Sequence, residues 1–344
     1  MRCRSHENVS GVDQRQMSEG NTLEYFEKRY HAKSDIAYHY TSLEAFMSIV
    51  QSKTFRLTSL NVTNDTTEAS YSFDSYISNL EEVLCEVLDD EFAEKIREAI
   101  KAIGKKRIES EINDMQLHAL SLSTEKDNML HWKAYAQAGT GICIGLNTSA
   151  ISAMARKIKC EHVNKFLMKT KVIYKEDEIK KCILKNIKLG KFILDKCKDL
   201  PKDRMQSIIE LTMIQTPLFI LRKSVKHASF FDEHELRIVF DANRFDNFYE
   251  LCKEYKSRDE IEDDYKDMEK IAKHLKLNEK LFYLSQYGIK SYRNLCFNEV
   301  WGSGVIPEVI LGPLCRQNKD ELKSFLESNG LYGVEISDSQ VPIR

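Results

Sequence analysis

The 344-residue chain carries 51 Lys and Arg against 53 Asp and Glu, so it lacks the bulk charge of an electrostatic nucleic-acid binder, although a local basic patch stays open. With 42% apolar and 30% charged residues it should be globular and large enough for one big domain or two smaller ones. No apolar run reaches a membrane span, the start lacks a signal-peptide hydrophobic region, and nine scattered cysteines form no CxxC or Cys/His cluster. The expectation is a cytoplasmic protein with reduced thiols, no metal and no membrane partner.

Residues 1–20 are polar and without periodicity, and read as a flexible segment ahead of a single α+β domain over 21–344. A short helix is expected near Asn21 to Tyr30. Ile36 to Tyr40 reads as a strand and Thr41 to Val50 as a helix, with Thr41-x-x-Glu44 as a capping box and Leu43, Phe46, Met47 and Val50 as one apolar stripe. Phe55 to Ser59 is a second strand, followed by a polar loop from Asn61 to Glu68. Helical spacing of Ile77, Leu80, Val83, Leu84, Val87, Leu88, Phe92, Ile96, Ile100 and Ile103 predicts two helices between 71 and 116. Leu120 to Ser123 is a short strand, Met129 to Ala136 a helix and Gly141 to Leu146 a buried strand. Thr148 or Ser149 caps a helix to about Lys159, and Lys171 to Tyr174 forms another strand. Two charged helical insertions are predicted, at about 175–222 and 246–298, around a β core. Val309 to Pro313, a helix from Lys319 to Ser328 with Gly330 past its end, and Gly333 to Ile336 close the chain. Strands dispersed among helices imply an α+β fold with a mixed or antiparallel sheet.

The segment Glu233-x-Glu235-x-Arg237 carries the most chemistry. At period two, Leu236, Ile238 and Phe240 face a core while Glu233, Glu235 and Arg237 share the other face. Such a row is either a charge-paired sheet surface or the lining of a polar cleft. Lys226, seven residues before Glu233, is within reach of the same cleft or simply solvated. His39, if Tyr38 and Tyr40 face the core, faces the other side beside a helix N-terminus. There an imidazole can bond a ribose hydroxyl, or merely a neighbouring strand. Arg56, with Thr58 on its strand face, is suited to clamping a diphosphate. In Asn64-Asp65-x-x-Glu68, Asn-Asp reads as turn chemistry more than as a catalytic carboxylate, and Glu68 as a helix cap or a partner for Arg56. Trp132 and Tyr135, one helical turn apart, are either core or a stacking platform for a planar ring.

Taken in order, several motifs resemble a widespread, largely bacterial family known as domain of unknown function 2971. They are His39-Tyr40-Thr41, Asn64-Asp65-x-x-Glu68, Trp132-x-x-Tyr135 with Gly141 to Leu146, Lys226 with Phe230, Glu233-x-Glu235-x-Arg237, and Val309-Ile310-Leu311-Gly312-Pro313. The layout of a first strand ending His-x-Thr, a second bearing Arg and Thr-Ser, and a late Glu-x-Glu strand also resembles ADP-ribosyltransferases. That resemblance implies a split β core with NAD+ as substrate. His39 would hold the ribose, Arg56 the diphosphate, Glu235 would be the catalytic carboxylate and Glu233 would orient the acceptor. Beside what that resemblance implies, Thr41, Trp132, Tyr135, Lys226 and Arg237 are further candidate NAD+-binding residues, and the template has no place for Arg237.

The function expected on that basis is an NAD+-dependent ADP-ribosyltransferase or NAD+ glycohydrolase-like enzyme, in a bacterial toxin or anti-phage setting. Its acceptor, protein or nucleic acid, is open, and the helical insertions are candidate partner surfaces. Two alternatives stay open. One is a metal-dependent nuclease in which Asp65, Glu233 or Glu235 holds Mg2+ and Lys226 or Arg237 lies near the scissile phosphate. The other is a binding module without turnover.

Overall fold

The structure, a computed structural model, describes residues 35–62, 68–87, 90–104, 110, 115–160, 162–196, 201–255, 259–285, 288–302 and 304–342. The flexible segment expected over 1–20, the helix near 21–30 and the Asn64-Asp65 motif lie outside the described residues.

Ten strands make one mixed sheet: β1 (Ile36–Thr41), β2 (Thr54–Ser59), β3 (Leu117–Ser123), β4 (Ile142–Asn147), β5 (Leu167–Lys171), β6 (Glu235–Asp241), β7 (Leu281–Ser285), β8 (Gly288–Cys296), β9 (Glu308–Leu311) and β10 (Glu335–Asp338). The main path runs β10-β9-β4-β1-β3-β2-β8-β7, and β6 and β5 extend from β3. Of the named strand pairs, β9–β10 runs parallel and the others antiparallel.

The sheet forks at β3. One edge of β3 pairs with β6 along its whole length, from Leu117↔Asp241 to Ser123↔Glu235. The other edge is shared: β1 meets it at Tyr38↔Ser123, and β2 meets it at Thr58↔Ala119 and Ser59↔His118. Between those contacts, residues 120–122 have no strand neighbour on that edge among the described residues. β1 and β2 diverge there, and the opening exposes backbone groups that must find other partners.

One face of the sheet carries the main core. Leu57, Leu120, Leu122, Ile144, Leu236 and Phe240 meet α1 (Leu43–Ser52), α5 (Ala150–Lys157), α6 (Val163–Phe166), α10 (Ala242–Glu254), α11 (Asp259–Lys270) and α12 (Lys319–Ser328). A helical lobe has its own core, in which Tyr76, Leu84, Ile96, Ile183, Met213 and Leu221 pack together. It joins α2 (Glu68–Val87) and α3 (Asp90–Ile103) to α7 (Glu176–Lys196), α8 (Lys202–Ile208) and α9 (Thr216–Ser224), with a π-helical stretch, Ile209–Gln215, leading into α9. The first predicted insertion is thus one part of a lobe that also takes the helices before β3. The short α4 (Met129–Tyr135) lies against β1, where its Trp132 packs with Tyr40, Cys143 and Ile310.

Three local expectations change. The cap of α1 is Ser42, whose Oγ accepts from the Ala45 N–H at 3.1 Å, while Thr41 stays in the strand. The strand expected at 171–174 falls earlier, as β5, because Leu167 to Lys171 pair with Phe240 to Leu236. Ile173 makes only an isolated bridge to Val225. The second insertion is helical only to Leu275: the β7–β8 hairpin follows, pairing Tyr283 with Lys290 and extending the sheet from β2.

Candidate functional site

The polar row of β6 is brought to its place by a break in the strand pattern. Leu236, Ile238 and Phe240 enter the main core as expected, and every residue of β6 is buried because β3 and β5 flank it. Glu233, expected on the strand, instead ends a 3-10 turn from Ala228, and His234 follows in the left-handed region at φ 44°. That bend carries Glu233 off the ladder and turns it back beside Glu235.

A charge network results. Arg237 grips Glu235 with both ends of its guanidinium, Nε to Oε1 at 2.9 Å and Nη2 to Oε2 at 3.0 Å. Lys226 Nζ donates to Glu233 Oε2 at 2.6 Å and to Glu235 Oε2 at 3.4 Å. Tyr135 Oη donates to the other oxygen of Glu233 at 2.5 Å. Arg237 Nη1 also reaches the Lys223 carbonyl at the end of α9, where the helix dipole favours a cation. Burial would push the Glu235 carboxyl up, but Arg237 and Lys226 outweigh it and hold it down at about 2. The carboxylate is therefore ionised at neutral pH.

These groups line a cavity of about 300 Å³ in the fork, with His39, Arg56, Tyr135, Lys226, Glu233, Glu235 and Arg237 all on its wall. The pairing register puts Tyr38, Ser123 and Glu235 on one face of the sheet, so His39, which faces away from Tyr38 and Tyr40 as expected, starts from the pleat opposite Glu235. It reaches the same cavity because the fork is open there. Its Nδ1 lies 3.4 Å from the Ser121 carbonyl, a group left free by the divergence of β1 and β2. Burial lowers the His39 imidazole, which favours its neutral form.

A second chamber of about 520 Å³ adjoins the first. His39, Arg56, Thr58 and Tyr283 line both, and Thr41, Lys276, Tyr292 and Asn294 belong to the second. At the junction the Arg56 guanidinium lies 4.9 Å from the ring centre of Tyr292 and 5.4 Å from that of Tyr283. Among the described residues Arg56 has no carboxylate partner.

Trp132 is not part of the cavity. It is fully buried, its indole N–H donates to Asp127 at 2.6 Å, and its ring packs edge-on to Tyr40. Its partner in the motif, Tyr135, does face the cavity, so the two readings of the aromatic pair divide between its members. Sequence reasoning missed Tyr283, Lys290 and Tyr292, which form the far wall. The signal was there: Leu281 to Ser285 and Ile289 to Asn294 flank Gly288, and Gly288 holds φ 111° at the start of β8. It was masked by the charge-rich helix just before it. Ser121 and His131 were missed as well; His131 stacks on Tyr40, and its Nε2 lies 3.1 Å from the Glu233 carbonyl, steadying the turn that bears Glu233.

No group of three or more His, Cys, Asp or Glu suited to a metal ion occurs among the described residues. No described helix is long and apolar enough to cross a membrane.

Residues 131–238 match the family described as "Protein of unknown function (DUF2971)". That stretch is under half of the chain and holds Tyr135, Lys226, Glu233, Glu235 and Arg237, whereas His39 and Arg56 lie outside it. It supports the family resemblance drawn from the motifs. No curated protein and no solved structure matches the chain.

Proposed function

We propose that the fork binds NAD+ and breaks its nicotinamide–ribose bond, passing ADP-ribose to water or to an acceptor. One observation carries this reading: an imidazole from β1 and two carboxylates from the β6 segment, distant in sequence, line a single cavity. Arg56, a cation without a carboxylate partner among the described residues, stands where that cavity joins the larger chamber.

Each group has a task in the reaction. Arg56 takes the diphosphate, with the adenosine half extending into the larger chamber beside Tyr292. His39, neutral, exchanges a hydrogen bond with a ribose hydroxyl. When the C1′–N bond breaks, its electron pair leaves with the nicotinamide nitrogen, which becomes neutral. Positive charge then grows on the ribose, and an ionised carboxylate beneath it lowers the barrier. Water or an acceptor attacks C1′ and releases one proton to solvent.

The nuclease alternative has less support. Lys226 and Arg237 already occupy carboxylate oxygens that would have to hold Mg2+, and Asp65 lies outside the described residues. An NAD+-consuming enzyme would suit a bacterial toxin or anti-phage effector working in the cytoplasm, with a protein or nucleic-acid acceptor. The test is nicotinamide release from NAD+ by purified protein, alone and with candidate acceptors. Release that is lost in His39→Ala supports the reading. Wild-type protein that releases none with any acceptor contradicts it.

A further inference from the structure

The two carboxylates of the fork differ in what they still have to give. A carboxylate has about four sites for accepting hydrogen bonds. Glu235 receives Arg237 Nε on one oxygen, and Arg237 Nη2 and Lys226 Nζ on the other. Three of its sites are engaged, all by cations, and its side chain is 5% exposed. Glu233 receives Tyr135 Oη on one oxygen and Lys226 Nζ on the other. Among the described residues no other donor reaches it, so two sites remain open on a side chain that lines the cavity.

We infer that Glu233 is the carboxylate that touches the substrate ribose, and that Glu235 is a positioning residue acting through Lys226 and Arg237. This assignment rests on the NAD+ reading and exchanges the roles that the late Glu-x-Glu strand suggested. Glu235 balances Arg237 and shares Lys226, and Lys226 together with Tyr135 fixes the rotamer of Glu233. A ribose hydroxyl entering the fork then donates to Glu233 without displacing any bond within the protein. The same hydroxyl approaching Glu235 would meet one oxygen already shared by Arg237 and Lys226 and another held by Arg237, in a side chain only 5% exposed. Glu233 is joined to the sheet only through the 3-10 turn and His234, so it can shift slightly toward the ligand, whereas Glu235 is fixed in the ladder at Ser123.

The experiment is steady-state nicotinamide release by wild type, Glu233→Gln, Glu235→Gln and the double variant Glu235→Gln with Arg237→Met, each shown by circular dichroism and melting to be folded. Glu233→Gln should lose kcat by about 100- to 1000-fold with KM for NAD+ nearly unchanged, the scale for removing one preorganised group that acts in the transition state. Glu235→Gln should lose less, and removing Arg237 as well in the double variant should restore kcat to within about tenfold of wild type, because coupled residues compensate one another. A double variant as inactive as Glu233→Gln, or a Glu233→Gln enzyme that keeps more than a tenth of wild-type kcat, overturns the assignment. If Glu235→Gln alone does not fold, the double variant against Glu233→Gln still decides the matter. Wild-type protein that releases no nicotinamide overturns the NAD+ reading itself, and this assignment with it.

Discussion

Glu235 and Arg237 stand two residues apart on one face of β6 and join through both carboxylate oxygens, at 2.9 and 3.0 Å, with neither side chain more than 5% exposed. A bond made within one strand needs no other element to form it. Its cost is desolvation, which Lys226 and the end of α9 help to offset.

Breaking that pair should be costly. Arg237→Met leaves Glu235 buried with Lys226 as its remaining cation, and should destabilise the protein by about 3–5 kcal/mol, the range for stranding one partner of a buried pair. The double variant Glu235→Gln with Arg237→Met should recover much of the loss. Urea unfolding of the three proteins measures this. A single variant within about 1 kcal/mol of wild type would show that the pair is not a structural fixture.

Acid should expose the same pair. The Glu235 carboxyl is held at about 2 in the folded protein, against 4.5 for the free group. As pH falls, the unfolded chain takes up this proton first, so between about pH 5 and pH 2 the unfolded state binds more protons and the folded state loses stability. Above that range the contribution is fully present. Melting temperatures of wild type and Glu235→Gln, measured from pH 7 downward, should therefore converge toward pH 2. A constant gap would mean that Glu235 is not held ionised.

Arg56 should separate binding from chemistry. Its guanidinium rests against Tyr292 and Tyr283 on an exposed strand face. Arg56→Ala should change stability by no more than about 0.5 kcal/mol, as surface changes usually do. It should raise KM for NAD+ by about tenfold or more, the loss of one charge-assisted contact worth roughly 1.5–3 kcal/mol. An unchanged KM would remove Arg56 from the diphosphate site.

Much of this arrangement was legible in the chain, for physical reasons that differ from residue to residue. β6 could be read because alternation of Leu236, Ile238 and Phe240 with charged residues has one simple explanation, a strand with a wet face and a dry one. Glu233 shared a face with Glu235 on paper, but reaches the cavity by way of a left-handed His234 that alternation does not encode. His39 faces away from Tyr38 and Tyr40, as parity requires, but that places it on the pleat opposite Glu235. What rescues it is the fork, and a fork depends on which strands neighbour β3, a long-range fact. Trp132 and Tyr135 share a helical turn, yet a short helix seated on β1 buries the first and leaves the second 39% exposed. The β7–β8 hairpin was hidden by the charge density of the helix before it.

Gly141 should be intolerant of a side chain. A Cβ there would lie 2.2 Å from the Thr41 carbonyl at the end of β1 and 2.9 Å from the Ala136 carbonyl just past α4, both backbone atoms. Gly141→Ala should destabilise by about 1–3 kcal/mol, the usual scale for overpacking a close backbone approach. Because β1 carries His39 into the fork, its activity should fall as well. A variant as stable and active as wild type would show that β1 can shift without consequence.

The most direct measurement is a crystal structure of the protein with ADP-ribose. The diphosphate is expected beside Arg56, the adenosine in the chamber that Tyr292 and Lys276 line, and the terminal ribose between His39 and Glu233. Well-ordered ADP-ribose bound elsewhere, with His39, Arg56 and Glu233 untouched, would contradict the account.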